Sequence, residues 1–464
     1  MFQFDARLRA DRGIAVKDSF RKIDGSICAP RGFKAAAVFC DIKRLGTGKG
    51  SEKGRKRDLA LIVSDIPAAV AGMFTTNQVC AAPVKVSAKN CRRRFVRGIV
   101  VNSGNANACT GARGLADAQE MTRWTASAVA AVSDRRNKIT GDRSTVRDRR
   151  YRKITPKDVL VASTGRIGVP MPMANVERGI LDAAQRLARS PEAARETAEA
   201  IMTSDTRRKE IAVEFELGGV PVRIGGICKG AGMIQPGMAP HATMLGFLTT
   251  DAAIASDDLK TALERAVAQS FNRITVDGDM STNDTVLILA NGLAGNGPAG
   301  LGLFQQALNF VTLELAKMIV RDGEGVTRFI ILRVHGARTA ADAEAVARSV
   351  ANSTLVKTSW FGGDPNWGRI LCAMGYSPAK VDESKVDVGY SRPGKKKVTF
   401  AVRRGQPTRV ALQTLGAIVA GPEFDLHIFL NNGRHDCVLY TSDLTEEYVE
   451  FNKGDLSDPS SLGG

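Results

Sequence analysis

Residues 229–251 read Lys-Gly-Ala-Gly-Met-Ile-Gln-Pro-Gly-Met-Ala-Pro-His-Ala-Thr-Met-Leu-Gly-Phe-Leu-Thr-Thr-Asp. A strand tolerates less glycine and proline than this, and a surface loop carries more charge. The stretch reads as a buried, tightly turned backbone that delivers Thr243 to the start of an apolar strand, Met244 to Leu248. The small residues Gly230, Ala231 and Gly232 let another backbone or a ligand approach closely. Taken alone, it is a glycine-rich entry to a core strand. What else it is depends on the rest of the chain.

Outward from this stretch, strands and helices intermingle. On the N-terminal side, Gly32 to Asp41, Leu59 to Ser64, Gly98 to Val101 and Val159 to Ala162 read as strands. Leu115 to Val132, Val176 to Ala188 and Pro191 to Met202 read as helices, the last with Ser190 as cap and Pro191 at its first position. Ile211 to Phe215 and Val220 to Ile227 form a hairpin turned at Gly218-Gly219. Beyond Thr243, Ser256 caps a helix reaching about Ser270, followed by a strand, Thr285 to Ala290. Phe304 to Val320 and Ala340 to Ala351 are helical, with strands at Phe329 to Val334, Val398 to Val402, Leu426 to Leu430 and Cys437 to Tyr440. The class is α/β (α+β), with mixed sheets layered against helices.

Length and composition narrow the function. A chain of 464 residues exceeds one small core and implies two or more domains, or two intimately packed halves. No apolar run is long enough to span a membrane. Met1 to Asp24 has no apolar signal segment, so a cytoplasmic location is expected. The 8 cysteines show no C-x-x-C pair and read as free thiols. With 4 histidines and no clustered ligand spacing, no metal site is expected. The net charge of +17 gathers in Lys43 to Arg57, Arg92 to Arg94, Ser133 to Lys153 and Lys395 to Lys397. These runs carry almost no aromatics for base stacking, so they read as solvated loops rather than a nucleic-acid surface.

Small polar residues collect where elements stop: Asn102 to Gly111, Ser163 to Gly168, Asp277 to Asp284 and Asp322 to Gly325. Such ends expose backbone N–H groups and build sites. Gly46 to Gly50 lacks P-loop spacing, and no G-x-G-x-x-G opens a helix. His241 lies two residues from Thr243 but reads as loop filling. A threonine hydroxyl is a weak nucleophile until a base takes its proton. An N-terminal threonine carries its own base, an α-amine titrating near ~7.7–8.0. For Thr243 this requires cutting the Ala242–Thr243 bond, by attack of the hydroxyl on the preceding carbonyl and hydrolysis of the resulting ester.

From about Ala29 to about Ser457 the motifs occur in one order that resembles a known family. They are Phe74-Thr75-Thr76-Asn77, Asn102 to Gly111, Ser163-Thr164-Gly165, Lys229 to Ile234, Ala242-Thr243-Met244-Leu245, and Ser270 to Gly278 with Ser281 to Thr285. Asp322-Gly323-Glu324-Gly325 and Asp364 to Arg369 complete them. The chain resembles the arginine-biosynthesis glutamate N-acetyltransferases, also called ornithine acetyltransferases, which cleave themselves and use an N-terminal threonine.

The resemblance implies a division at Ala242–Thr243 into an α chain, 1–242, carrying the oxyanion-hole motif, and a β chain, 243–464, beginning at the nucleophile. It implies Thr243 as nucleophile and Thr164 with Gly165 as oxyanion hole. It implies substrate contacts from Ser204, Lys229, Thr243, Glu324, Asn452 and Ser457. Acetyl would pass from N2-acetylornithine to Thr243 and then to glutamate, with no cofactor and with acetyl-CoA as an alternative donor. The family implies a dimer of cleaved heterodimers. Here the segment between Lys229 and Thr243 is longer than the family's usual spacing, around Ala239 to His241, and Ser204 and Ser457 stand where threonine is usual. Two other readings compete: a related self-cleaved amidohydrolase or aminopeptidase, and a basic nucleic-acid-binding protein on this scaffold.

Overall fold

The computed structural model describes residues 20–43, 56–140, 154–236, 244–297 and 300–453, the side chains of 134–140 excepted. In chain order come β1 (Arg21–Lys22), β2 (Phe33–Val38), β3 (Leu59–Phe74), α1 (Ala82–Asn90), β4 (Phe95–Asn105), α2 (Gly111–Thr140) and β5 (Val159–Arg166). Next are α3 (Met173–Arg186), α4 (Pro191–Ala200), β6 (Lys209–Leu217), β7 (Val220–Lys229), β8 (Leu245–Thr250), α5 (Ser256–Ala268), β9 (Thr285–Ala290) and α6 (Leu301–Arg321). The described strands of this part form one nine-stranded sheet, ordered β1-β6-β7-β8-β9-β3-β4-β5, with β2 paired to β3.

β3 explains how one hydrogen-bonded path becomes two walls. Its register with β4 shifts between Val63 and Ala68, across Pro67. Proline donates nothing to a ladder and sits at such irregularities. Before the shift β3 pairs with β2 and β4; after it, Ala69 to Phe74 pair with β9. Inward residues of both halves then meet in one core: Ile99, Val101 and Leu160 from one wall, Ile227, Phe247 and Leu287 from the other. The opposite faces lie under helices. Leu61, Val100 and Val161 pack with Met121, Val176 and Ile180 of α2 and α3. Ile224, Leu248 and Ile288 pack with Leu263, Val311 and Leu315 of α5 and α6. The order of layers is helix, sheet, sheet, helix.

The remaining elements are β10 (Phe329–Ala337), α7 (Ala340–Ala351), α8 (Thr354–Phe361), α9 (Trp367–Gly375), β11 (Asp387–Ser391), β12 (Thr399–Arg403), β13 (Gln406–Pro407), α10 (Leu412–Val419), β14 (Glu423–Phe429), β15 (His435–Ser442) and α11 (Glu446–Phe451). They build a six-stranded sheet, ordered β13-β12-β11-β14-β10-β15, whose alternate residues Ile330, Leu332, Leu426 and Ile428 bury against Val346, Trp360, Ile370 and Leu415 of the helices. Phe329 joins the core under α6, and Ile331 and Tyr440 pack against it, seating this module on the first.

The mixed α/β class expected from sequence holds. The Ser190 cap holds too, its side chain accepting from the Ala193 N–H at 3.1 Å above Pro191. The hairpin turns at Gly218 and Gly219, with φ of 60° and 79°, as a two-residue hairpin turn requires. Ser256 does not cap α5. Ala255 occupies that position, and the Ser256 hydroxyl donates to the Arg94 carbonyl at 2.9 Å instead. The strand pattern at Leu59 to Ser64 continues without a break to Phe74, and the α2 helix outruns its predicted Val132 end to Thr140. Most of Lys43 to Arg57 and of Ser133 to Lys153 lies outside the described residues. No described helix is long and apolar enough to cross a membrane.

Candidate functional site

The site forms where β7 ends. Alternation along β7 sends Ile227 into the core between the walls, and Lys229, two residues on, follows the same side. Its ammonium is buried, donating to the Thr203 hydroxyl at 2.7 Å and the Thr164 hydroxyl at 3.3 Å. Burial pulls its pKa below the ordinary lysine value, and the Asp205 carboxylate opposes that pull. The β5 strand from one wall and the β7 strand from the other thus converge on one charge.

Thr164 and Gly165 sit where β5 and β4 lose register at Asn105. Gly165 has φ +125°, and a Cβ there would stand 2.4 Å from the Gly104 carbonyl carbon. Only glycine allows this approach, so the turn is closed by backbone against backbone. The amides of the 102–111 turn are spent on structure. Asn102 donates to the Asn105 carbonyl at 2.9 Å, and Asn107 donates to the Gly114 carbonyl at 2.9 Å. Asn283 ties this turn to β9, donating to the Ala106 carbonyl at 2.6 Å and the Ser163 carbonyl at 2.9 Å.

After Lys229 the chain turns through Gly230 and Gly232, and carboxylates catch its backbone. Asp205 accepts from the Gly230 N–H at 2.7 Å. Asp277 accepts from the N–H groups of Met233 and Ile234 at 2.7 and 2.8 Å. Glu324 closes the other side. Its N–H donates to the Ala231 carbonyl at 3.1 Å, and its carboxylate accepts from the Asn452 amide at 2.8 Å. A Cβ on Gly232 would lie 2.3 Å from a Glu324 carboxylate oxygen. This is the close approach that the small residues Gly230 to Gly232 suggested. A cationic end (Lys229, Thr203, Thr164) and an anionic end (Glu324, Asn452) therefore flank one glycine turn.

Of the residues singled out from sequence, Thr164, Gly165, Lys229, Glu324 and Asn452 are gathered by these contacts. Ser204 is half-buried in the same turn, but the hydroxyl that meets Lys229 belongs to its neighbour, Thr203. Ala242, Thr243 and Ser457 lie outside the described residues, as do Ala239 and His241. β8 begins two residues beyond Thr243, with Leu245 opposite Lys229 in the β7 ladder. The Met244 carbonyl accepts from the Thr285 N–H at 2.8 Å. Sequence reading missed Thr203, Asp205 and Lys209, and it quoted Asp322 within its motif without giving it a role. The signal was present in Thr203-Ser204-Asp205-Thr206-Arg207-Arg208-Lys209, a polar run between a helix and a strand whose Asp205 and Lys209 are both buried.

Comparison with known proteins agrees with the motif order. The ArgJ family model matches residues 35–454. The arginine biosynthesis bifunctional protein ArgJ of Symbiobacterium thermophilum is 44% identical over 433 residues, 92% of this chain and 98% of that protein. The glutamate N-acetyltransferase of Methanocaldococcus jannaschii is 43% identical over 438 residues, 93% of this chain and 98% of that one. A solved ornithine acetyltransferase from Mycobacterium tuberculosis, complexed with ornithine, is 32% identical, covering 48% of this chain and 100% of that chain with a TM-score of 0.39. The family match spans most of the chain and includes every motif that builds the site from Lys229 to Asn452, so the chain belongs to the ArgJ family.

Proposed function

We propose that this chain is a glutamate N-acetyltransferase of arginine biosynthesis, cut between Ala242 and Thr243 and working by acetyl transfer through Thr243. The observation that carries the reading is the pairing of Lys229 with Glu324 on either side of one glycine turn, beside Thr164 and Gly165. N2-acetylornithine carries a carboxylate and a side-chain ammonium. Lys229 complements the first charge and Glu324 the second.

In the self-cut, the Thr243 hydroxyl attacks the Ala242 carbonyl, the C–N bond breaks and water hydrolyses the ester, leaving a free α-amine. That amine then takes the hydroxyl proton as Thr243 attacks the acetyl carbonyl. Thr164 and the Gly165 N–H face the developing oxyanion, each such donor lowering the barrier by about 3–4 kcal/mol. Ornithine leaves with the proton, and the acetyl ester on Thr243 waits for the glutamate amine. Acetyl-CoA would enter the same acyl-enzyme as a second donor. Relatives named as bifunctional ArgJ proteins and as a glutamate N-acetyltransferase support this chemistry.

Intact mass of the purified protein tests it. Two chains, 1–242 and 243–464, are expected. Acetylornithine alone should add one acetyl group to the second chain, and glutamate should remove it. A single uncut chain, or a cut protein that takes up no acetyl group, overturns the proposal.

A further inference from the structure

We propose that the buried ion triad Asp205–Lys209–Asp322 is a positioning device that holds Lys229 and Glu324 in fixed relation across the Ala242–Thr243 junction. The inference rests on reading Lys229 and Glu324 as the groups that hold the amino-acid substrate.

Lys209 opens β6 and its side chain is 1% exposed. Its ammonium meets Asp205 at 2.6 Å and also contacts Asp322, 113 residues further along. Each carboxylate then governs a substrate-facing segment. Asp205 accepts from the Gly230 N–H at 2.7 Å and the Thr203 N–H at 2.9 Å. It therefore sets both the backbone after Lys229 and the hydroxyl that receives Lys229. Asp322 accepts from the N–H groups of Thr206 and Arg207 at 3.1 and 3.2 Å, and from the Thr206 hydroxyl. It stands two residues before Glu324, whose N–H reaches back to Ala231. Asp205, Lys209 and Lys229 precede the junction; Asp322 and Glu324 follow it. The triad is thus a non-covalent tie between the two chains at the pocket itself.

Stability alone does not require such a cluster. Well-packed apolar residues often replace buried ions at no loss, whereas removing one partner is costly. What apolar residues cannot do is fix five hydrogen bonds by direction. The charges also set Lys229. Burial would strip its proton, and Asp205 is the strongest group keeping it on; Glu324 and Asp284 assist, while Lys209 and Lys43 oppose. Asp205 itself is held below the usual carboxylate range. Its burial works the other way, but Lys209, Lys229 and the Gly230 N–H outweigh it.

The test uses full-length purified enzyme. Lys209→Met should raise KM for acetylornithine about tenfold or more, the weight of a lost charge-assisted contact, with kcat changed less than about threefold. Because that variant leaves two buried carboxylates unpaired, the neutral triple variant Asp205→Asn, Lys209→Met, Asp322→Asn is measured beside it. Ornithine affinity by calorimetry reads the same pocket where turnover is lost. Asp205→Asn should move the alkaline rise of KM to lower pH, since Lys229 then gives up its proton earlier. A folded triple variant with unchanged KM and unchanged ornithine affinity overturns the proposal. So does an Asp205→Asn enzyme whose pH profile does not move. Lys229→Met and Glu324→Gln are run as controls. If they leave KM unchanged, the reading of these two as substrate contacts fails, and that result is distinct from a triad that has no effect while the controls do.

Discussion

One methyl group is enough to disturb this site. At Gly165 an added Cβ meets the Gly104 backbone at 2.4 Å, with no flexible side chain to give way. Gly165→Ala should lower kcat by about 10²-fold, the effect of misplacing a reacting group by roughly 1 Å; steady-state kinetics with acetylornithine and glutamate measure it. Gly232→Ala differs in kind. Its Cβ meets the Glu324 carboxylate, which can swing away only by breaking with Asn452. There KM should rise about tenfold while kcat holds, because one charge-assisted hydrogen bond is lost and the acyl chemistry is untouched. The same scale shows what sequence can say. Lys229, Glu324, Thr164 and Gly165 could be singled out because motifs carry them in order, and Asn452 only because the resemblance implied it. Thr203 could not, because adjacent hydroxyl residues differ only in which one the backbone turns toward the lysine. The pairing of Lys209 with Asp322 was not legible, because no local pattern links residues 113 positions apart.

Elements were legible where period and punctuation agree. The β6–β7 hairpin needs two positive φ angles, and Gly218-Gly219 announces them. β3 was legible only in part: the sequence reading ended the strand at Ser64, where the strand is in fact turning from one wall to the next. In the second module, α8 carries a lysine that the apolar pattern hides. Lys357 is buried, donates to the Ser442 carbonyl, and is pushed down to about 8 by burial, with Asp443 and Asp277 opposing. The unfolded chain, near the ordinary value of ~10.4, therefore binds more protons than the folded one between about pH 8 and 10. Stability from this group rises with pH across that window and is least below it, where the folded state carries the buried charge. Relative to Lys357→Met, wild-type stability by chemical denaturation should climb from pH 8 to 10. A parallel pair of curves would contradict the assignment.

For the molecule as a whole, the proposed cut falls in sequence between β7 and β8, two paired strands of one sheet, rather than between domains. β8 pairs with β7 on one side and β9 on the other, and six residue pairs hold each ladder. The larger structural division comes later, between α6 and β10, so the expected 1–242 and 243–464 chains are interleaved. The two chains should therefore co-migrate on gel filtration without denaturant and separate only when it is added. Early separation in native buffer would mean that the ladder does not survive the cut. Charge on this scale says less than it promises. A net +17 implied a partner surface or solvated loops, and two of the four basic runs fall largely outside the described residues.

The central place of β8 has a bearing on how the enzyme can be made. A strand flanked on both edges leaves its neighbours with open edges when it is missing. A 1–242 polypeptide synthesised by itself would present the β7 and β3 edges, and a 243–464 polypeptide the matching edges of β8 and β9, each a template for pairing with any passing chain. Co-expression from two separate genes should yield aggregate, while a single chain cut as proposed only after folding keeps these strands paired. For the proposed cut, the position of one short strand thus calls for folding before scission.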